Sequence, residues 1–270
     1  MNIVLLPKST YPLRRGLTLI ELVVVMAILA ALAGILLPRL PGMLTRAHSS
    51  TGATNAGELA KSLATYQTLY LGYPNNLDSL VTDVSTGTPA TYLVDAGSDV
   101  TTVTLDSTDG TLAALRSAGI TAVTQMVEQA SGATTGVYPW SPTFYPYAAP
   151  TGTNTTPATT TLASGNKLLG LTGAAASRVF GSSAAARYVA FGIGRYSTLS
   201  KVMQEPPVHF DDDAGGAPNV AYARFAAVFQ ITDDAGTGSI DKARLVGVIS
   251  FHDGEVASIG DHLSEYWGAN

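Results

Sequence analysis

One acid stands inside a membrane-length apolar run. From Leu17 to Leu37 the chain has twenty-one residues, and only Glu21 among them is charged. As a helix the run spans about 30 Å, which matches the hydrocarbon core of a bilayer. Arg14 and Arg15, with Lys8 further out, precede it and hold that end in the cytoplasm, so the rest of the chain lies beyond the membrane. A carboxylate at the centre of such a span costs roughly 2.5–3.5 kcal/mol or more, and less toward its edge. A plain anchor has no use for it. Glu21 therefore implies a task inside the membrane, with a positive group at the same depth as its partner.

The stretch Arg14-Arg15-Gly16-Leu17-Thr18-Leu19-Ile20-Glu21, the apolar run after it and Pro38 resemble the processing signature of the type IV pilin and type II secretion pseudopilin family. The resemblance implies a leader at residues 1–16 that prepilin peptidase removes after Gly16. Leu17 then becomes the methylated N-terminus, Glu21 serves recognition and assembly, and Pro38 falls where the family commonly bends its helix. Leu17 replaces the Phe usual at that position, an apolar departure. The chemistry stands apart from the name. Cleavage after Gly16 leaves an ammonium at Leu17, as costly in lipid as a carboxylate. Pairing Glu21 of one subunit with the Leu17 amine of another neutralises both, and at low dielectric the attraction far exceeds its value in water. The pairing also sets axial register between helices. Gly16, without a Cβ, lets the backbone approach a protease cleft closely. Two other readings compete. One is an ordinary signal peptide cut after Ala31-Leu32-Ala33; the other is a plain single-span anchor. An acid inside the apolar region and an apolar run that continues past Ala33 argue against the first.

The formal charge is −5, and removal of Lys8, Arg14 and Arg15 leaves 12 basic against 20 acidic residues. A broad basic surface for nucleic acid is therefore excluded as an expectation, and no nucleic-acid partner is expected. The absence of cysteine rules out the disulfide that closes many pilin heads. A chain of 270 residues is large enough to rely on a packed core instead.

Four segments are expected: the leader 1–16, a transmembrane and assembly helix 17–40, its amphipathic second half 41–72, and an extracytoplasmic head 73–270. Pro38 and Pro41-Gly42 weaken the helix, which resumes near Met43. Ala56, Leu59, Ala60, Leu63, Tyr66 and Tyr70 recur at three- and four-residue steps and form a face able to dock on a sheet. Ser49-Ser50-Thr51-Gly52 predicts fraying. Leu71-Gly72-Tyr73-Pro74 predicts a stop at Gly72, and Asn75 to Val81 an amphipathic helical turn. A helix closing in Gly-Tyr-Pro before such a turn again resembles pseudopilins. Val100 to Leu105 reads as β, Thr111 to Ser117 as a helix, and residues 134–165 as a Thr-, Pro- and aromatic-rich insertion with a mobile tail from Thr151 to Thr161. Tyr188 to Ile193 reads as a buried strand, and Ala221 to Thr232, Lys242 to Phe251 and Glu255 to Ile259 as an antiparallel meander. The fold class is α+β: a long N-terminal helix packed on an antiparallel head.

Asp211-Asp212-Asp213 and Asp233-Asp234 are the candidates for calcium, the one cofactor considered, because hard cations want clustered oxygens. Neither fits a helical calcium loop, although related pseudopilins bind calcium in C-terminal loops. His48, His209, His252 and His262 lack metal-ligand spacing, and Gly192-Ile193-Gly194 lacks the third glycine of a dinucleotide site. No catalytic residue is identified. The expected function is non-enzymatic: a filament subunit, most simply a type II secretion pseudopilin. A major or minor type IV pilus subunit is the alternative, and a membrane-tethered binding or enzymatic domain a third. The resemblance implies prepilin peptidase, other pilin-like subunits, and an inner-membrane platform with a cytoplasmic ATPase as partners. It places the head in the periplasm or on a surface filament.

Overall fold

The computed structural model describes residues 18–36, 40–89, 93, 98–125, 159–208, 224–252 and 255–268. Gly16, Leu17, Pro38, Asp211, Asp212, Asp213 and the aromatic cluster from Tyr138 to Tyr147 lie outside them. The chain forms two compact units, residues 1–44 and 45–270.

The first unit holds helix α1 (Leu19–Leu36), in which no residue is buried. Its sequence is apolar on every side, so no inner face is distinguished from an outer one. Such a helix lacks the polar stripe that would let it lie half-exposed on a soluble core.

Helix α2 (Leu40–Tyr70) runs through Ser49-Ser50-Thr51-Gly52 without a break. Fraying predicted from those residues does not occur because Ser49, Gly52 and Ala53 are buried. Tertiary cover outweighs their poor helix propensity. Ala56, Leu59, Leu63 and Tyr66 enter the core as the spacing predicts, whereas Tyr70 stays 47% exposed under the Lys201 ammonium. The helix stops at Leu71, whose backbone is left-handed at φ 57°, one residue earlier than expected.

Beyond it, β1 (Leu77–Asp78) takes the place of the predicted helical turn. Asn76 and Leu80, at φ 56° and 59°, bend the chain at both ends of this strand. Strand β2 (Val100–Thr104), helix α3 (Thr111–Ser117) and β3 (Ala122–Thr124) follow, and α3 has the bounds read from sequence. Thr159–Thr161 form strand β4 on β3, in a segment expected to be mobile. Then come β5 (Lys167–Leu171), α4 (Gly173–Phe180), β6 (Tyr188–Gly192), a 3-10 turn (Thr198–Lys201), β7 (Ala226–Thr232), β8 (Ser239–His252), β9 (Glu255–Ala257) and α5 (Ile259–Tyr266).

Among the described residues a seven-stranded sheet has the order β4-β3-β1-β6-β7-β8-β9, and β2 pairs separately with β5. Among the described strands only the β1–β3 pairing is parallel. Every residue of β6 and β7 is buried, so both faces of the sheet centre are covered. Val189, Phe191, Ala227 and Phe229 share one face, where Tyr73 meets Phe229 edge-on at 4.9 Å between ring centroids. On the other face Phe180 of α4 lies against Gly247, where a Cβ would strike its ring. The sheet ends at β9, and its edge is closed without another strand. The Val256 N–H donates to Asp99 Oδ2 at 3.1 Å, and the Val256 carbonyl accepts from Arg178 Nη2 at 3.3 Å. Arg178 and Asp99 are themselves ion-paired. Two side chains thus meet the backbone groups that an open edge would offer to another chain.

Candidate functional site

The first turn of α1 is held by a reciprocal box. Thr18 precedes the helix and Glu21 occupies its third position. The Thr18 N–H and hydroxyl both donate to Glu21 Oε2 at 2.8 Å, and the Glu21 N–H donates to Thr18 Oγ1 at 3.3 Å. The Leu22 N–H donates to the Thr18 carbonyl at 3.1 Å, the first bond of the helical ladder. Helix starts leave donors unpaired, and a Thr-x-x-Glu box satisfies two of them at once. In hydrocarbon that satisfaction is worth more than in water, since no solvent can replace it. The carboxylate is thus anchored to its own backbone at one oxygen. Thr18 thus bonds back onto its own helix through both the N–H and the side chain of Glu21. The signal was present in the spacing of Thr18 and Glu21.

Beyond this box α1 is bare. Leu19 and Ile20 are 80% and 71% exposed, and the helix has a mean hydropathy of 2.8. Among the described residues α1 alone is long and apolar enough to cross a membrane. Of the residues picked from sequence as a processing and assembly site, the structure describes Glu21; Gly16, Leu17 and Pro38 fall outside it.

The head carries polar clusters with local duties. Asp233 accepts from the N–H groups of Thr237 and Gly238 at 3.1 and 2.9 Å, and Asp234 accepts from Gln230 at 2.8 Å. Both carboxylates close the β7–β8 turn, which explains their spacing without a cation. No group of three or more His, Cys, Asp or Glu placed to hold a metal occurs among the described residues; the Asp211 to Asp213 candidates lie outside. His262 and Ser250 come together at 2.8 Å, Nε2 to Oγ, a pairing for which the sequence offered no signal. Both are 1% exposed, so substrate has no access and the bond ties α5 to β8. Gly194 passes over the buried Asp78 carboxylate so closely that a Cβ would overlap it, which explains that glycine without a nucleotide. An open cleft of about 550 Å³ between the end of α2 and the start of β8 is lined by Gln67, Tyr73, Asp241, Lys242 and Arg244. Lys242 there donates to the Leu71 carbonyl at 2.9 Å and helps finish α2.

Comparison with curated proteins and with solved structures gives no match. Residues 12–37 match the profile of the prokaryotic N-terminal methylation motif. That motif implies processing by prepilin peptidase and assembly into pilin-like filaments, and with the apolar helix it fits a single-pass membrane anchor. An apolar helix that buries none of its own surface, opened by one backbone-anchored carboxylate, is what such a motif encodes: the chain carries the N-terminal signature of type IV pilins and pseudopilins.

Proposed function

We propose that this protein is a structural subunit of a short type II secretion pseudopilus, made as a prepilin and assembled from the cytoplasmic membrane. The observation that carries the reading is Glu21: a carboxylate fixed by Thr18 at the first turn of a wholly exposed apolar helix, inside the matched motif. Hydrolysis of the Gly16–Leu17 bond leaves a carboxylate on the leader and an ammonium on Leu17, one residue before the box. Methylation of that nitrogen keeps its positive charge. The Thr18 bonds go to Oε2, which leaves Glu21 Oε1 to accept from the Leu17 ammonium of a neighbouring subunit. The pairing removes two charges from lipid in one step and fixes register between helices that are otherwise uniformly apolar. An inner-membrane platform driven by a cytoplasmic ATPase supplies the work of extraction. Apolar helix surface then leaves lipid only to be covered by other helices, with Pro38 absorbing the bend and the head on the periplasmic side.

The secretion reading rests on the Gly72-Tyr73-Pro74 ending. The short helix expected after it is replaced by β1, so that support comes from the sequence pattern alone. Three measurements test the function. N-terminal sequencing and mass of the mature protein should give a chain beginning at N-methylated Leu17; a chain beginning at Gly34 would sink the reading. Glu21→Ala should insert into membranes normally yet yield few filaments, and wild-type yield would remove Glu21 from assembly. Under overexpression, electron microscopy should show short fibres; long retractile surface fibres would instead make it a type IV pilus subunit.

A further inference from the structure

We propose that the cleft between the end of α2 and the start of β8 binds an extended acidic segment of another polypeptide, which adds to β8 as a strand. One wall of the cleft is made by residues 239–245 of β8, taken without a gap. Successive side chains of a strand point to opposite faces, so a cleft that touches every residue in turn runs along the strand's edge. That edge is open. Among the described residues β8 pairs with β9 only from Ser250 to His252, and no bond from outside its ladders reaches the backbone of residues 240–247. On the inner side the ladder lapses as well. Its register passes from the pairing of Thr232 with Ser239 to that of Gln230 with Arg244, which leaves residues 240–243 opposite Ile231 alone. Backbone donors and acceptors without strand partners are what an added strand takes up. At β9, by contrast, Asp99 and Arg178 close the edge.

Charge and one apolar side chain choose the occupant. The Arg244 guanidinium lines the cleft with neither hydrogen bond nor ion pair among the described residues. Lys242 lines it too, but its ammonium is drawn across to the Leu71 carbonyl, so it does not bar the edge as an edge lysine commonly does. Asp241 is the single acid of the lining against these two cations, and the groove therefore favours a carboxylate. Leu71 stands at the rim through its bond to Lys242. It is 82% exposed and holds a left-handed backbone at φ 57°, a conformation that strains an L-residue and not Gly. So exposed a side chain makes up none of that strain inside the fold, and Leu69 beside it is 64% exposed. A strained apolar residue held out at a cleft rim is suited to grip an apolar side chain of the incoming strand. A second copy of the chain fits less well. Setting β8 against β8 brings the same cations together, and like charges across strands repel; the bulge at residues 240–243 also disfavours a flat pairing of two identical edges.

The test selects displayed random peptides on the full-length chain in detergent micelles and measures synthetic copies of those enriched by fluorescence anisotropy. The enriched peptides should carry an acid among alternating apolar residues. Their binding should weaken about tenfold or more on Arg244→Glu and stay unchanged on Arg195→Glu, an exposed cation outside the cleft. Leu71→Gly, which suits the left-handed backbone, should melt no lower than the parent yet bind more weakly. An added strand turns only every second N–H toward its neighbour. Methylating one alternate set of peptide nitrogens should therefore abolish binding, and methylating the other should spare it. Failure to enrich any peptide over blank micelles overturns the proposal, as do peptides that ignore Arg244→Glu, Leu71→Gly or both methylated sets. Self-association of the chain that Arg244→Glu removes assigns the cleft to a second copy and overturns it as well.

Discussion

In the proposed assembly Thr18 and Glu21 would answer two needs with one carboxylate, and the two can be separated by substitution. As a cap, Glu21 needs only an acceptor oxygen at the right reach, which the amide of Gln also supplies. As a partner for the Leu17 ammonium it needs charge, and at low dielectric a neutral amide loses most of that attraction. Glu21→Gln should therefore keep the helix and its insertion while lowering filament yield on the order of tenfold or more, a loss of at least about 1.4 kcal/mol per contact. Thr18→Val, which removes the hydroxyl and leaves the charge, should cost about 1 kcal/mol of helix-start stability and reduce yield far less. Quantified sheared filaments at matched membrane levels would read both, and equal yield from Gln and Glu would reduce Glu21 to a cap. Glu21 stood out in the sequence because it is the one charge in a membrane-length apolar run, whereas the box it forms with Thr18 lay unread in the spacing of the two residues.

Among the elements, legibility followed how much of an element's fate was settled locally. Helix α3 and the strands β6, β7 and β8 were readable because runs such as Tyr188 to Gly192 and Ala226 to Thr232 are apolar enough to require full burial. Asn75 to Val81 was misread because Leu77, Leu80 and Val81 fit helical spacing, while pairing of Leu77 with Val123 and of Asp78 with Gly192 decided for a strand. Helices α4 and α5 were missed: one is Gly- and Ala-rich, and the other buries a histidine where an aliphatic side chain was awaited. Helix α3 also shows how charge holds an element in place. Its entry residue Asp109 accepts from the Thr111 N–H and hydroxyl at 3.0 and 2.6 Å and from Arg187 at 2.7 Å. Burial works to raise this carboxyl, but the Thr111 bonds and the Arg187 guanidinium outweigh it and hold it below the usual aspartate value. A carboxyl lowered in the folded state binds fewer protons there than in the unfolded chain, so stability rises with pH across that interval. The contribution should be complete above about pH 4, the unfolded aspartate value, and should fade as pH falls through the lowered folded value. Because both partners are about a third exposed, solvent screening limits it to about 0.5–1 kcal/mol. Denaturant melts of Asp109→Asn should fall short of the parent by that amount at pH 7 and converge with it in acid. A constant gap at every pH would assign the loss to packing.

At the scale of the whole molecule, the two units solve opposite solvent problems. Residues 1–44 contain α1, which buries nothing of itself and so depends on lipid or on other helices for cover. Residues 45–270 contain a continuous core that runs from Ala56 and Leu59 of α2 through Leu115 of α3 to Phe191, Phe229 and Val256. The chain has no disulfide to staple that core, and its size makes one unnecessary. Stability of the head therefore should not depend on α1, whereas filament formation, on the proposed function, should depend on it entirely. A chain limited to residues 45–270 should be monomeric without detergent and unfold in one cooperative transition. Its midpoint should lie within a few degrees of the head transition of the full protein, since 1 kcal/mol moves a domain of this size by about 2–4 °C. It should also fail to enter filaments, even beside wild-type subunits, because it brings neither the carboxylate nor the amine of the proposed pair. Calorimetry with sedimentation, and co-assembly scored in sheared fibres, would check each half. A truncated head that aggregates or melts without cooperativity would mean that the apolar helix completes the core. Incorporation of that head into fibres would mean that contacts between heads, not the Glu21 pair, drive assembly.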